Sequence, residues 1–182
     1  VAAQSRCVLG EAPLWHPREQ CLYWADIDRG RLHRLDPKTG EHQVVLEGRT
    51  IAGICYQVDG SLLLFRDRGT VDVYRGGKIV KTILAEMPEE TRTRFNDVVA
   101  DPWGRVFCGT LPNGKRPGRL YRLDPDGSCH VVLEGIGCSN GMDFSSDLKR
   151  MYHTDSTART IYVFDYDLKT GRLSNRRVFA RT

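Results

Sequence analysis

Three short segments put chemistry-bearing side chains directly ahead of apolar runs. LGEAPLW (9–15) carries Glu11, RFNDVV (94–99) carries Arg94, Asn96 and Asp97, and CSNGMDF (138–144) carries Asn140 and Asp143. A carboxylate accompanied by neutral amide oxygens is a donor set for a hard divalent cation such as Ca²⁺, which takes oxygen ligands. Zn²⁺, Mn²⁺ and Mg²⁺ also occupy mixed oxygen sites. An arginine beside such a site suits a substrate oxyanion or carboxylate. The same residues have a plainer reading: Asn-Gly and Asn-Asp are turn formers, and Glu11 could be a solvated edge carboxylate. His153 and Asp155 in MYHTDS (151–156) lie two apart, so on a strand they share a face; a base with its orienting carboxylate and a pair packed in the core are both open. Ser139 and Ser156 lack a GxSxG context, which disfavours a serine nucleophile. His16, His33, His42 and His130 are scattered without metal-ligand spacing and read as surface or packing residues.

The elements that must position these groups are strands. Runs rich in Val, Ile, Leu, Tyr and Phe, such as CLYWADI (21–27), SLLLF (61–65), RVFCGT (105–110) and TIYVFDYD (160–167), alternate with clusters of Gly, Asp, Pro and Asn. The polar stretch MPEETRTR (87–94) suits a loop or a single turn better than a helix. The chain also repeats itself. RLDP occurs at 34–37 and again 88 residues later at 122–125, and KTG at 38–40 returns 131 residues on at 169–171. Both separations are multiples of about 44 residues, the length of a four-stranded propeller blade. The reading is all-β, a single β-propeller domain over 1–182 with repeat units near 10–48, 51–86, 94–135 and 138–182. Asp36, Asp124 and Asp167 recur at the turns between strands, where Asx-type bonds account for them. Trp15, Trp24 and Trp103 follow the repeat and are expected in the core between blades.

Composition excludes several classes. The 182 residues carry 27 Lys and Arg against 23 Asp and Glu, interspersed, with no like-charge run to serve as a nucleic-acid arm. No stretch approaches the roughly 18 apolar residues of a membrane span, so neither nucleic acid nor membrane is an expected partner. The N-terminal residues lack the charged and apolar regions of a signal peptide. Six cysteines without a CxxC pair argue against a zinc ribbon or a disulfide framework, and point to a reducing, cytoplasmic compartment.

GEAPLW followed by LYWADI, then RFNDVVADPWGRVFCGT, then SNGMDFSSDLKRMYHTDS and FDYDLKTGRLSNRRVF, resembles the senescence marker protein/gluconolactonase (regucalcin-like) family, in order and over essentially the whole chain. The resemblance implies a six-bladed propeller, of which this sequence carries about four blades, with one divalent cation in its channel, Ca²⁺ first among the ions considered. It makes Glu11 and Asn140 metal ligands, and Arg94 and Asn96 substrate contacts. It implies metal-dependent hydrolysis of a small sugar lactone, with a calcium-binding scaffold or an ester or organophosphate hydrolase as alternatives. The family's third metal ligand, an Asp also credited with activating water, falls on a later blade. The expectation is therefore that residues beyond 182, or another chain, complete the site, and that open sheet edges otherwise favour self-association. GTLPNGKRPG (109–118) lacks the Glu that meets substrate in some members.

Overall fold

In the computed structural model, which describes residues 3–181, every element longer than a single turn is a β-strand. Sixteen strands form four antiparallel four-stranded sheets, each drawn from consecutive strands. The first sheet is β1 (Gly10–His16), β2 (Cys21–Asp26), β3 (Arg31–Leu35) and β4 (His42–Glu47); the second is β5 (Ile51–Tyr56), β6 (Leu62–Arg66), β7 (Val71–Arg75) and β8 (Lys78–Leu84). The third is β9 (Phe95–Ala100), β10 (Val106–Thr110), β11 (Gly118–Leu123) and β12 (Cys129–Ile136), and the fourth is β13 (Ser139–Phe144), β14 (Arg150–Asp155), β15 (Thr160–Asp167) and β16 (Arg172–Arg181). The stretch at 87–94 holds one 3-10 turn, Pro88–Glu90. No described helix is long and apolar enough to cross a membrane.

Contacts divide the chain into two compact units, Val1–Phe95 and Asn96–Thr182. In the first, β5 lies against β1 and β2, and Tyr23, Ala25, Leu32, Ile54, Leu62 and Leu64 form the core between the two sheets. β6 is buried along its whole length because both its faces are covered, which is why SLLLF reads as a continuous apolar run rather than an alternating one. In the second unit β13 lies against β10 and β11, over a core of Phe107, Leu120, Ile136, Met151 and Tyr166. The approach there is tight. A Cβ on Gly109 would overlap the Oγ and Cβ of Ser139, so β10 needs glycine at that point for β13 to seat.

A buried ionic network ties the turn before β10 to β15. Arg105 Nε donates to Asp101 Oδ2 at 2.5 Å, its Nη2 donates to Leu168 O, and Tyr166 Oη donates to the same Asp101 oxygen. Buried charges persist when paired and hydrogen-bonded in this way.

Three expectations from sequence need correction. Trp15 and Trp103 are exposed, at 47% and 65%. Trp15 falls on the outward side of the β1 alternation and Trp103 sits in the turn between β9 and β10, so only the half-buried Trp24 packs within a sheet, stacked on His33 and His42. Asp36 and Asp167 do bond backbone N–H groups two residues on, but the Asp124 carboxylate pairs with Arg122 through both oxygens, and Asp126 takes the turn bond to Ser128.

Candidate functional site

Glu11 and Asn140 occupy equivalent places on the first strands of two sheets, β1 and β13. In each, the strand register slips immediately after the residue: between Glu11 and Leu14 in β1, and between Asn140 and Met142 in β13. The next residue turns left-handed, Ala12 at φ 52° and Gly141 at φ 36°. Such bulges break the ladder locally and re-aim a side chain, and they gather near functional sites. Ala12 has a Cβ in a region that disfavours one, so the bulge in β1 carries strain. Glu11 is exposed and Asn140 half-buried; the Asn140 amide spans Gly141 N (3.2 Å) and Ser156 Oγ (3.3 Å).

A buried aspartate at the end of the second strand holds the segment that leads into each bulge. In the first unit Asp26 accepts the N–H groups of Val8 (3.2 Å) and Leu9 (3.1 Å). In the second, Asp155 accepts those of Gly137 (2.8 Å) and Cys138 (3.0 Å), and of Thr157 and Ala158 in the following turn. Burial pushes both carboxyls up, but the backbone N–H bonds outweigh it and hold both below the ordinary aspartate value. Asp155 therefore serves the backbone rather than orienting His153.

His153 is buried, with Nε2 2.9 Å from the Ser139 Oγ and no hydrogen-bond partner at Nδ1. Burial, opposed by Asp155, lowers its pKa to about 4, so the ring is neutral at neutral pH. Ser139 is wholly buried as well, which fits packing rather than nucleophilic or base chemistry.

The second unit brings Asn96, Asp97 and the Asn140 bulge together. Asn96 Nδ2 donates to the Ser139 carbonyl at 2.8 Å, one residue before Asn140. The neighbouring Asp97 accepts the N–H groups of Val98, Gly141 and Met142, so it clamps the bulge itself; burial nevertheless raises its carboxyl above the ordinary range. Asp143 is exposed and bonds the Phe144 N–H. In the first unit Arg94 is half-buried, bridges in antiparallel fashion to Asp67, and donates from Nη1 to the Phe95 carbonyl at 2.9 Å.

Sequence reasoning missed one cluster. Cys7, Asp26 and His33 each present a ligating atom, all within 4.8 Å of one another. Their separations in sequence follow no metal-binding spacing. The β2–β3 pairing, in which Trp24 faces His33 and Asp26 faces Arg31, sets Asp26 near His33, and the bonds from Val8 and Leu9 N–H to Asp26 hold the segment of Cys7 against them.

Chemically, Glu11 and Asn140 offer hard oxygens, the donors a Ca²⁺ ion takes, and each is the last paired residue before a register slip. Their chemistry fits a divalent cation. Consecutive four-stranded sheets with such first strands define the chain as a β-propeller protein. It aligns with a luciferin-regenerating enzyme at a TM-score of 0.88 and 25% identity, covering 100% of this chain and 63% of that one. It aligns with a calcium-binding protein, regucalcin, from Agrobacterium tumefaciens at 0.87 and 23%, covering 98% and 61%. The chain belongs to the SMP-30/Gluconolactonase/LRE-like family, whose sequence model matches residues 9–182. It is 50% identical over 177 residues to the pentonolactonase XacC of Haloferax volcanii, covering 97% of this chain and 60% of that protein. It is 35% identical to a 6-deoxy-6-sulfogluconolactonase of Pseudomonas putida, covering 96% and 61%. The chain thus spans about 60% of the length of these relatives.

Proposed function

We propose that the protein is a divalent-metal-dependent hydrolase that opens small sugar lactones in a reducing, cytoplasmic compartment. The observation that carries this reading is the pair of matched bulges bearing Glu11 and Asn140, in a chain half identical to a protein named as a pentonolactonase. Glu11 and Asn140 are the proposed oxygen ligands, with Ca²⁺ the first choice of ion. When bound, such a cation supplies Lewis-acid polarisation of the lactone carbonyl.

The chain's own residues do the rest. Asp97 fixes the bulge that presents Asn140, through the N–H groups of Gly141 and Met142. Asn96, anchored on the Ser139 carbonyl, and the Arg94 guanidinium are the proposed contacts for the sugar hydroxyl and carbonyl oxygens. Arginine offers planar, charge-assisted donors to oxygen, and fixed donors of this kind favour the ring-opening geometry. Asp26 and Asp155 hold the segments on which the ligands stand. No residue of this chain is assigned the activation of water.

The test is hydrolysis of gluconolactone and five-carbon γ-lactones, with chelator and then with Ca²⁺, Zn²⁺, Mn²⁺ or Mg²⁺ restored. Metal-restored turnover, lost in Glu11→Gln and in Asn140→Ala, is the expected result. Calcium affinity without turnover of any lactone would replace this reading by that of a binding propeller.

A further inference from the structure

Nothing in the lactonase reading uses the Cys7 thiol, the half-buried group that stands beside Asp26 and His33 in the first unit. His33 Nε2 lies 3.7 Å from Cys7 Sγ, while Nδ1 of the same ring lies 2.9 Å from His42 Nε2. We propose that Cys7, Asp26 and His33 form a site for a transition-metal ion of the zinc type, with solvent in the fourth position.

The donor types choose the ion. Thiolate and imidazole select zinc and its neighbours over calcium or magnesium, and a carboxylate oxygen completes a common zinc triad. Tetrahedral bonds of about 2.0–2.3 Å place ligand atoms roughly 3.5 Å apart, so the observed 4.8 Å envelope closes with small side-chain rotations. The surroundings are already arranged for ligation. A ligating histidine needs a lone pair on one nitrogen and a proton held on the other. His42 Nε2 is placed to accept the proton at His33 Nδ1, which leaves the Nε2 lone pair toward Cys7 and Asp26. Trp24 stacks on His33 at 5° and on His42 at 19°, fixing both ring planes. The N–H groups of Val8 and Leu9 fix the Asp26 carboxylate; Arg29 approaches its Oδ2 at 3.5 Å from the solvent side, and Cys7 Sγ also lies 3.3 Å from Ser5 Oγ. His33 and Asp26 are buried, whereas Cys7 is half-buried and leaves a path for the ion. On binding, the thiol proton passes to solvent and a sulfur–metal bond forms, with no change of oxidation state. The bound ion would staple the residues leading into β1, and so to Glu11, onto the β2–β3 hairpin.

Cobalt(II) is the probe, added to the purified chain under reducing conditions with excess Ca²⁺ to saturate all-oxygen sites. The expected result is one equivalent bound with a thiolate-to-cobalt charge-transfer band, displaced by Zn²⁺. The band should vanish in Cys7→Ser and persist in Cys129→Ser, and His33→Gln should weaken affinity roughly 10–100-fold or more. Cys7 is half-buried outside the sheets, and serine is close to it in size, so the variant is expected to keep the fold, which circular dichroism checks. Absence of the band in the parent chain, or its persistence in Cys7→Ser, overturns the proposal. Both readings are independent of lactone turnover.

Discussion

Replacing Asp155 by asparagine tests how the segment carrying Asn140 is held. In the parent, Oδ2 accepts the Gly137 N–H at 2.8 Å, and Oδ1 accepts those of Cys138, Thr157 and Ala158 at 3.0, 3.1 and 3.2 Å. An amide keeps one oxygen, loses the charge and turns an NH₂ toward a backbone donor. One N–H left unpaired costs about 1–3 kcal/mol, and hydrogen bonds to a charged group are worth about 1.5–3 kcal/mol against about 0.5–1.5 for neutral ones. Allowing for relaxation, the loss should be about 2–4 kcal/mol, which for a chain of this length lowers Tm by roughly 5–12 °C. The acid dependence follows from the carboxyl itself. Its folded-state pKa lies below the ordinary 3.8, because the backbone N–H bonds outweigh the opposing effect of burial. Its contribution is therefore complete above about pH 4 and is lost as pH falls through the folded-state value. Urea unfolding of parent and variant at pH 7, and then in steps to pH 3, should show a gap that narrows with acidity. A gap under about 0.5 kcal/mol at pH 7, or one that stays constant into acid, would refute the assignment of Asp155 as a backbone clamp.

Two further outcomes are expected. Gly109→Ala forces a methyl group into Ser139 and should destabilise the second unit by about 2–3 kcal/mol in denaturant titration, whereas a neutral effect would mean that β13 does not seat closely on β10. His153, with its pKa lowered to about 4 by burial, should show no side-chain titration by NMR between pH 8 and 5.5; its share of stability is present above the unfolded value of 6.5 and lost as pH falls toward 4. A midpoint near 6.5 would place the ring in solvent instead.

Much of the architecture was legible because blades are periodic in sequence. RLDP ends β3 and runs into the turn after it, then does the same at β11, so a repeat of four residues marks two sheets at once. The equivalent places of Glu11 and Asn140 were legible for the same reason: each precedes an apolar run, and each stands at a register slip. What stayed hidden was the direction in which polar side chains turn. MYHTDS shows a histidine and a carboxylate on one face, but nothing in the letters says that the carboxylate bends back to four backbone N–H groups while the imidazole turns to Ser139. Cys7 and His33 are 26 residues apart, and the gap closes through the β2–β3 pairing together with the bonds of Val8 and Leu9 N–H to Asp26. The exposed Trp15 and Trp103 show the converse limit, since a large aromatic at a repeated position need not point inward.

The consecutive order of strands within every sheet also bears on how the chain folds. Each pairing joins neighbours in sequence across short turns, so the entropy of bringing strands together is small before the contacts repay it. For an all-β chain this is a low contact order, and each sheet can assemble early without waiting for distant segments. Likeness between sheets carries the opposite risk. The β3–β4 hairpin pairs Arg31 with Glu47, and β11–β12 pairs Arg119 with Glu134, so these two hairpins present similar strands with the same charged pair. Strand exchange between copies is the characteristic failure of such repeats. What tells these hairpins apart is their unlike pairs, His33 opposite Val44 in one and Tyr121 opposite Val131 in the other, so the kinetic fidelity of assembly rests on the few residues that break the repeat.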